Sequence, residues 1–86
     1  MEAMKRNSAL FTYDAEIDAL YVLLAEDADL AIFRTLELNP ELHVDLDAEG
    51  NVVGVEVLYP RTRGFDLQPL KDRFSIELDI PFSFAA

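Results

Sequence analysis

Apolar and polar residues alternate along most of this chain, with the period of two that belongs to strands rather than the 3.6 of a helix. LFTY, residues 10–13, reads as a short strand. ALYVLLA, 19–25, is apolar on both alternating faces and reads as a strand covered on both sides, although periodicity alone also admits a short helix. Between them, DAEID (14–18) supplies Asp residues that turn a chain by bonding back to its own backbone. A polar break, EDAD, precedes AIFRTLEL (31–38), a third strand with mixed faces that Asn39-Pro40 ends.

LHVDLD (42–47) and VVGVEVL (52–58) carry enough pattern to fix a register. Leu42, Val44 and Leu46 alternate with His43, Asp45 and Asp47, while Val53, Val55 and Val57 alternate with Val52, Gly54 and Glu56. Directly opposed residues of an antiparallel pair share a face. A two-residue Glu49-Gly50 turn sets Leu46 against Val53, Val44 against Val55 and Leu42 against Val57. A three-residue turn slips the pairing and sets Leu42 against Glu56. An acid-Gly pair between alternating apolar residues is also a hairpin signal in its own right.

The same stretch, DLDAEGNVVGVE (Asp45 to Glu56), spells most of an EF-hand calcium loop: acids at positions one, three and five, Gly at six, Glu at twelve. That loop works only between two helices, which wrap its ligands around the ion. Here the entering segment follows Pro40 with strand alternation. The exit is β-branched, interrupted by Gly54 and stopped by Pro60. The strand reading wins. It leaves a weak metal candidate, because His43, Asp45, Asp47 and Glu56 project from one face of the hairpin, with Asp45 and Glu56 diagonal neighbours. The plainer alternative is an exposed polar face with His43 paired to Glu56.

Beyond Tyr59-Pro60, PRTRG (60–64) reads as a loop. DLQPLKDRF (66–74) reads as one or two helical turns, N-capped by Asp66 and burying Leu67, Leu70 and Phe74. In SIELDIPFSF (75–84), Ile76, Leu78, Ile80, Phe82 and Phe84 alternate with Glu77, Asp79, Pro81 and Ser83, a strand pattern that Pro81 confines to an edge or a bulge. The expected fold is mainly β, with a minor helical part. It is a small antiparallel β-meander of five or six strands with one short helix before a C-terminal strand. One domain spans 1–86, with a β body at 10–58 and the helical turn and last strand at 60–86.

Composition sharpens this picture. A chain of 86 residues buries only about 60–65% of its unfolded surface. No cysteine is present to form a disulfide, yet 51% of the residues are hydrophobic. Such chains often find further burial in a partner, frequently a second copy. The lack of Cys, of a leader-like apolar run and of a span of about 18 apolar residues points to a cytoplasmic protein with no membrane contact. The net charge of −10 is uneven: residues 7–60 hold twelve acids and one base, residues 61–86 four of each, and residues 1–6 one acid and two bases. An acidic body repels nucleic-acid phosphate and attracts basic protein.

Catalytic equipment is not evident. The single His lies on a strand, and Ser8, Ser75 and Ser83 have no motif around them. Seventeen acids make carboxylate pairs inevitable, and the three glycines are too scattered to cradle phosphate. The chain is expected to be no enzyme and to need no cofactor. Tyr13 and Tyr21 read as sheet aromatics. The candidate interaction residues are Ile76, Leu78, Ile80, Phe82 and Phe84. Their strand can close or cover this chain's own sheet, exchange with a second copy, or dock on another protein.

Tyr13-Asp14, Glu16, Asp18, Leu20-Tyr21-Val22 and the run Val44-Asp45-Leu46-Asp47-Ala48-Glu49-Gly50-Asn51-Val52-Val53-Gly54-Val55-Glu56-Val57-Leu58 resemble the bacterial domain of unknown function family 2283. Its members pair a YDxExDxLYI-like opening with a VDxDxxGxVVGIEIL-like hairpin. The resemblance covers roughly residues 10–58 and leaves 60–86 outside. It implies a small prokaryotic protein with a compact antiparallel sheet, no established activity, and small toxin-like proteins as partners of some relatives. The expected role is a non-enzymatic protein-interaction module, either a homo-oligomer or an antitoxin-like binder of a small basic protein. The alternative is weak divalent-ion or small-ligand binding on the acidic face of the 42–58 hairpin.

Overall fold

The structure, a computed structural model, describes residues 2–6, 9–24, 32–82 and 84. Six strands form one open antiparallel sheet: β1 (Glu2–Arg6), β2 (Ala9–Asp14), β3 (Ala19–Leu23), β4 (Arg34–Asn39), β5 (Leu42–Leu46) and β6 (Val52–Leu58). Their spatial order, β1-β2-β3-β6-β5-β4, joins two three-stranded meanders through the β3–β6 pair. Two short helices follow, α1 (Pro60–Arg63) and α2 (Gln68–Phe74). The EDAD break and the outer ends of two expected strands, Ala25 and Ala31, lie outside the described residues.

The pairings place whole rows of residues on single faces. Leu36, Val44, Val55, Val22, Phe11 and Met4 form one row across all six strands. Beside it run Leu42, Val57, Leu20 and Tyr13. Residues of these rows on the four inner strands are buried. Burying one such aliphatic or aromatic side chain contributes roughly 1.5–3 kcal/mol, so this face is the core. Its cover is α2, through the fully buried Leu70 with Leu67 and Phe74 beside it, and the segment that follows.

That segment corrects the sequence reading. Residues 75–84 form no strand and join no ladder among the described residues. Ser75 takes a left-handed conformation at the end of α2, and the chain then runs extended across the core face as a strap. Ile76, Leu78, Ile80, Phe82 and Phe84 pack half-buried against the core, while Glu77 and Asp79 point outward. A period of two needs only one covered side, and here a sheet face supplies it rather than a neighbouring strand. The far end is fixed by aromatic contacts: Phe84 meets Tyr13 edge-on at 4.8 Å between ring centroids, and Phe65 at 5.9 Å.

Four smaller corrections follow. β3 is covered on one face only, with Leu20 and Val22 buried and Tyr21 and Leu23 half-buried on the other side. PRTR forms a helical turn rather than a loop. Asp66 accepts a hydrogen bond from the Gln68 amide at 3.0 Å but sits one residue before the cap position, which Leu67 holds. The sixth strand, in turn, is β1 at the opposite end of the chain from the strand expected at 75–84.

Candidate functional site

The hairpin register is as derived for Leu42–Val57, Val44–Val55 and the intervening pairs His43–Glu56 and Asp45–Gly54. It then breaks, and Leu46 pairs with Val52 rather than Val53. The cause is Asp47. Its Oδ1 accepts the amides of Glu49 and Asn51, both at 2.9 Å, and the Asn51 amide group reaches Oδ2 at 3.2 Å. A carboxylate that gathers its own loop makes the connection longer than two residues. The Asn51 backbone bond leads the effects that hold the Asp47 carboxyl below its ordinary value.

Opposite the core lies a face that no element covers among the described residues. One cross-strand row there is Glu37, His43, Glu56, Tyr21 and Thr12. The next is Thr35, Asp45, Gly54, Leu23 and Leu10. His43 stands between two carboxylates, with Nδ1 3.3 Å from Glu56 and Nε2 3.4 Å from Glu37. Tyr21 crosses from β3 over Gly54 on β6 and donates its hydroxyl to Asp45 Oδ2 at 2.7 Å. Thr35 donates to the other oxygen of Asp45 at 2.6 Å. Asp45 therefore ties β3 and β4 to its own strand β5, across β6. Burial, then the hydrogen bond to Asp45 and the charge of that carboxylate, push the Tyr21 hydroxyl well above its ordinary value, so it remains a donor.

The four weak metal candidates do not converge. Asp45 is engaged by Tyr21 and Thr35, Asp47 by its own loop, and Glu56 by His43. Among the described residues, no group of three or more His, Cys, Asp or Glu is placed to hold a metal ion. The EF-hand string is drawn out along two strands, which its geometry cannot use. The five expected interaction residues all face this chain's own core as the strap.

A second polar cluster, at the end of the sheet, was not read from the sequence. Asp18 sits at φ 51, and its carboxylate accepts the backbone amides of Arg61 (3.1 Å) and Thr62 (2.9 Å) and the Thr62 hydroxyl (2.6 Å). Those two amides are the free donors at the start of α1, so an Asp more than forty residues away caps the helix. Tyr13 donates its hydroxyl to the same carboxylate at 2.8 Å. The only sequence signal was an Asp beyond the needs of its own turn. Burial opposes the charge on Asp18, but the bonds from Thr62, Tyr13 and the two amides outweigh it and lower the pKa.

Replacing Asp18 by Asn is expected to destabilise the protein by about 1 kcal/mol, the scale of a lost helix cap. With the folded pKa below the ordinary 3.8, the contribution is complete above that value and fades as pH falls through the folded pKa. Thermal melts of both proteins from pH 7 to pH 2.5 should show a gap that narrows below about pH 4. A gap of constant size would remove the capping account.

The fold and this surface define a class: a small single-layer antiparallel sheet, covered on one face by its own C-terminal third and bare and acidic on the other. The profile of the family described as protein of unknown function (DUF2283) matches residues 10–59, more than half of the chain, and the chain belongs to that family. No curated protein and no solved structure gives a significant match. The matched segment holds five of the six strands and both residues of the Tyr21–Asp45 tie. The helices and strap lie beyond it. Among the described residues, no helix is long and apolar enough to cross a membrane.

Proposed function

We propose that this protein is a non-enzymatic protein-interaction module whose uncovered sheet face receives a small basic protein, in the manner of an antitoxin. The observation that carries this reading is the open face itself. Glu37, Asp45, Glu56 and Asp14 lie on it with His43, and the one basic residue that the strand register adds, Lys5, is on the outermost strand β1, while the Tyr21–Asp45–Thr35 tie locks the register of the strands between. Rigid strands present charge with little entropy left to lose on binding, which favours recognition. Complementary charge also speeds encounter and rejects acidic competitors.

The cationic side chains beyond β4 sit elsewhere. Arg63 pairs with Glu41 at 3.2 Å and lies over the Tyr59 ring, while Lys71 pairs with Glu77 at 2.9 Å. The cleft between β2 and the strap is lined by Ala9, Phe11, Leu24 and residues 76–79. Those side chains are apolar or carboxylate.

The test is capture from the source organism by tagged wild type and by a variant carrying Asp14→Asn, Glu37→Gln and Glu56→Gln. Wild type is expected to recover a stoichiometric basic protein at low salt and to lose it at moderate salt. The neutralised variant should melt within a few degrees of wild type and recover little. Equal recovery by both proteins, or a partner indifferent to salt, would contradict the acidic face as the binding surface.

A further inference from the structure

The sheet has two free edges, and they differ. β4 carries Arg34, Thr35, Leu36 and Glu37, and its ladder with β5 shifts between Glu37 and Asn39. When an edge strand pairs with its own copy about a two-fold axis normal to the sheet, each residue meets one from the same face. For β4 the same-face registers centre on Thr35 or on Leu36. Neither sets Arg34 against Glu37, which lies on the opposite face.

β1 behaves differently. Glu2, Met4 and Arg6 are paired with Tyr13, Phe11 and Ala9, so all three belong to the core-face rows. Antiparallel pairing with a second copy about Met4 sets Glu2 against Arg6, Ala3 against Lys5 and Met4 against Met4. Both Glu–Arg oppositions recur by symmetry, and no like charges face each other. Met4 is 49% exposed at the outer end of the apolar row that begins at Leu36. Pairing about it would continue that row into the second copy. The charge balance points the same way. A chain of net charge −10 repels its copy over most of its surface, but β1, with one acid and two bases, carries a positive excess. Lys on an edge strand ordinarily discourages pairing. In this register each Lys5 faces an alanine, so that objection does not apply.

We propose that β1 is a self-pairing edge, and that two copies join through antiparallel β1 strands about a two-fold axis at Met4 into one twelve-stranded sheet. This deepens the interaction-module reading by naming a second copy as one partner and rests on that reading only so far; the acidic face is a separate surface. Two five-residue strands form a small interface of the kind found in weak, transient complexes, so a covalent trap suits it.

The chain has no cysteine, which makes the trap clean. Directly opposed Cα atoms lie about 4.5–5.5 Å apart in such a pair, within disulfide reach. Met4→Cys is therefore expected to form a disulfide-linked dimer under mild oxidation, in preference to Ala3→Cys. The two copies of position 3 would stand about 8 Å apart, too far to bridge. In sedimentation, Glu2→Arg should weaken the dimer about tenfold by opposing like charges twice, and Glu2→Arg with Arg6→Glu should restore it. The proposal is overturned if Ala3→Cys links as readily as Met4→Cys, if neither links, or if the double variant fails to recover. Any of these leaves capture of a basic partner on the acidic face intact. Loss of that capture with Met4→Cys still linking would sink the acidic-face reading instead.

Discussion

Truncation after Phe74 is expected to abolish cooperative folding. The removed residues 75–86 include Ile76, Leu78, Ile80, Phe82 and Phe84, which cover Phe11, Tyr13 and their neighbours on the core face. Each half-buried side chain contributes about 1 kcal/mol or more. Their sum rivals the 5–15 kcal/mol by which a typical domain is stable at all. The loss also uncovers a flat apolar face on an open sheet, which invites aggregation. Circular dichroism and light scattering of the truncated protein should show a broad or absent melt with aggregates. Phe84→Ala, which removes one contact with Tyr13 and one with Phe65, should lower the melting temperature while the melt stays cooperative. A truncated protein that melts like the full chain would mean that the strap is dispensable.

The second large effect is expected at Gly54. Its φ is not positive, so the backbone itself would accept alanine. Space is the obstacle: a Cβ there would overlap the Tyr21 hydroxyl oxygen and stand 2.5 Å from Cζ of the ring. Tyr21 cannot yield freely, because its hydroxyl is held by Asp45. Gly54→Ala must therefore displace the ring and break a hydrogen bond to a charged acceptor. Losses of this kind run to about 2 kcal/mol, or roughly 10 °C in melting temperature for a domain of this size. In a Tyr21→Leu background, which lacks the phenol, the same substitution should cost less than about 0.5 kcal/mol. Additive effects of the two substitutions would refute the proposed contact.

These two sites mark how far the sequence could be read. Alternation placed β2, β3, β5 and β6 within a residue or two at most ends, and same-face pairing gave the hairpin register up to Asp45. Register is legible where one face is buried, since a slip would invert every side chain. It failed at Leu46 because a side-chain bond, from Asp47 to its own loop, decided the connection. β1 escaped notice because EAMKR has no alternation, and an edge strand needs only a ladder on one side. The strap was read as a strand because extended chain on a sheet face has the same period as chain within a sheet.

The candidate site was less legible than the fold. His43, Asp45 and Glu56 were placed on one face correctly, and the His43–Glu56 pairing was anticipated. Long-range partners were not. Nothing near Asp45 in sequence names Tyr21 or Thr35, and nothing near Asp18 names Thr62. Gly54 did carry a signal, since glycine inside a strand often marks the close approach of another group. Tyr13, Asp18, Tyr21, Asp45 and Gly54, which help carry the family resemblance, are all engaged in holding the sheet and its first helix. In the proposed reading, binding falls chiefly to the side chains beside them on the open face.

The most direct test of the proposed binding face is an NMR titration of isotope-labelled protein with a basic protein captured at low salt. The account predicts amide shifts clustered at Thr12, Asp14, Glu37, His43 and Glu56 on the uncovered face, with Ile76–Phe82 unmoved. Shifts concentrated on the strap, with the uncovered face silent, would contradict it.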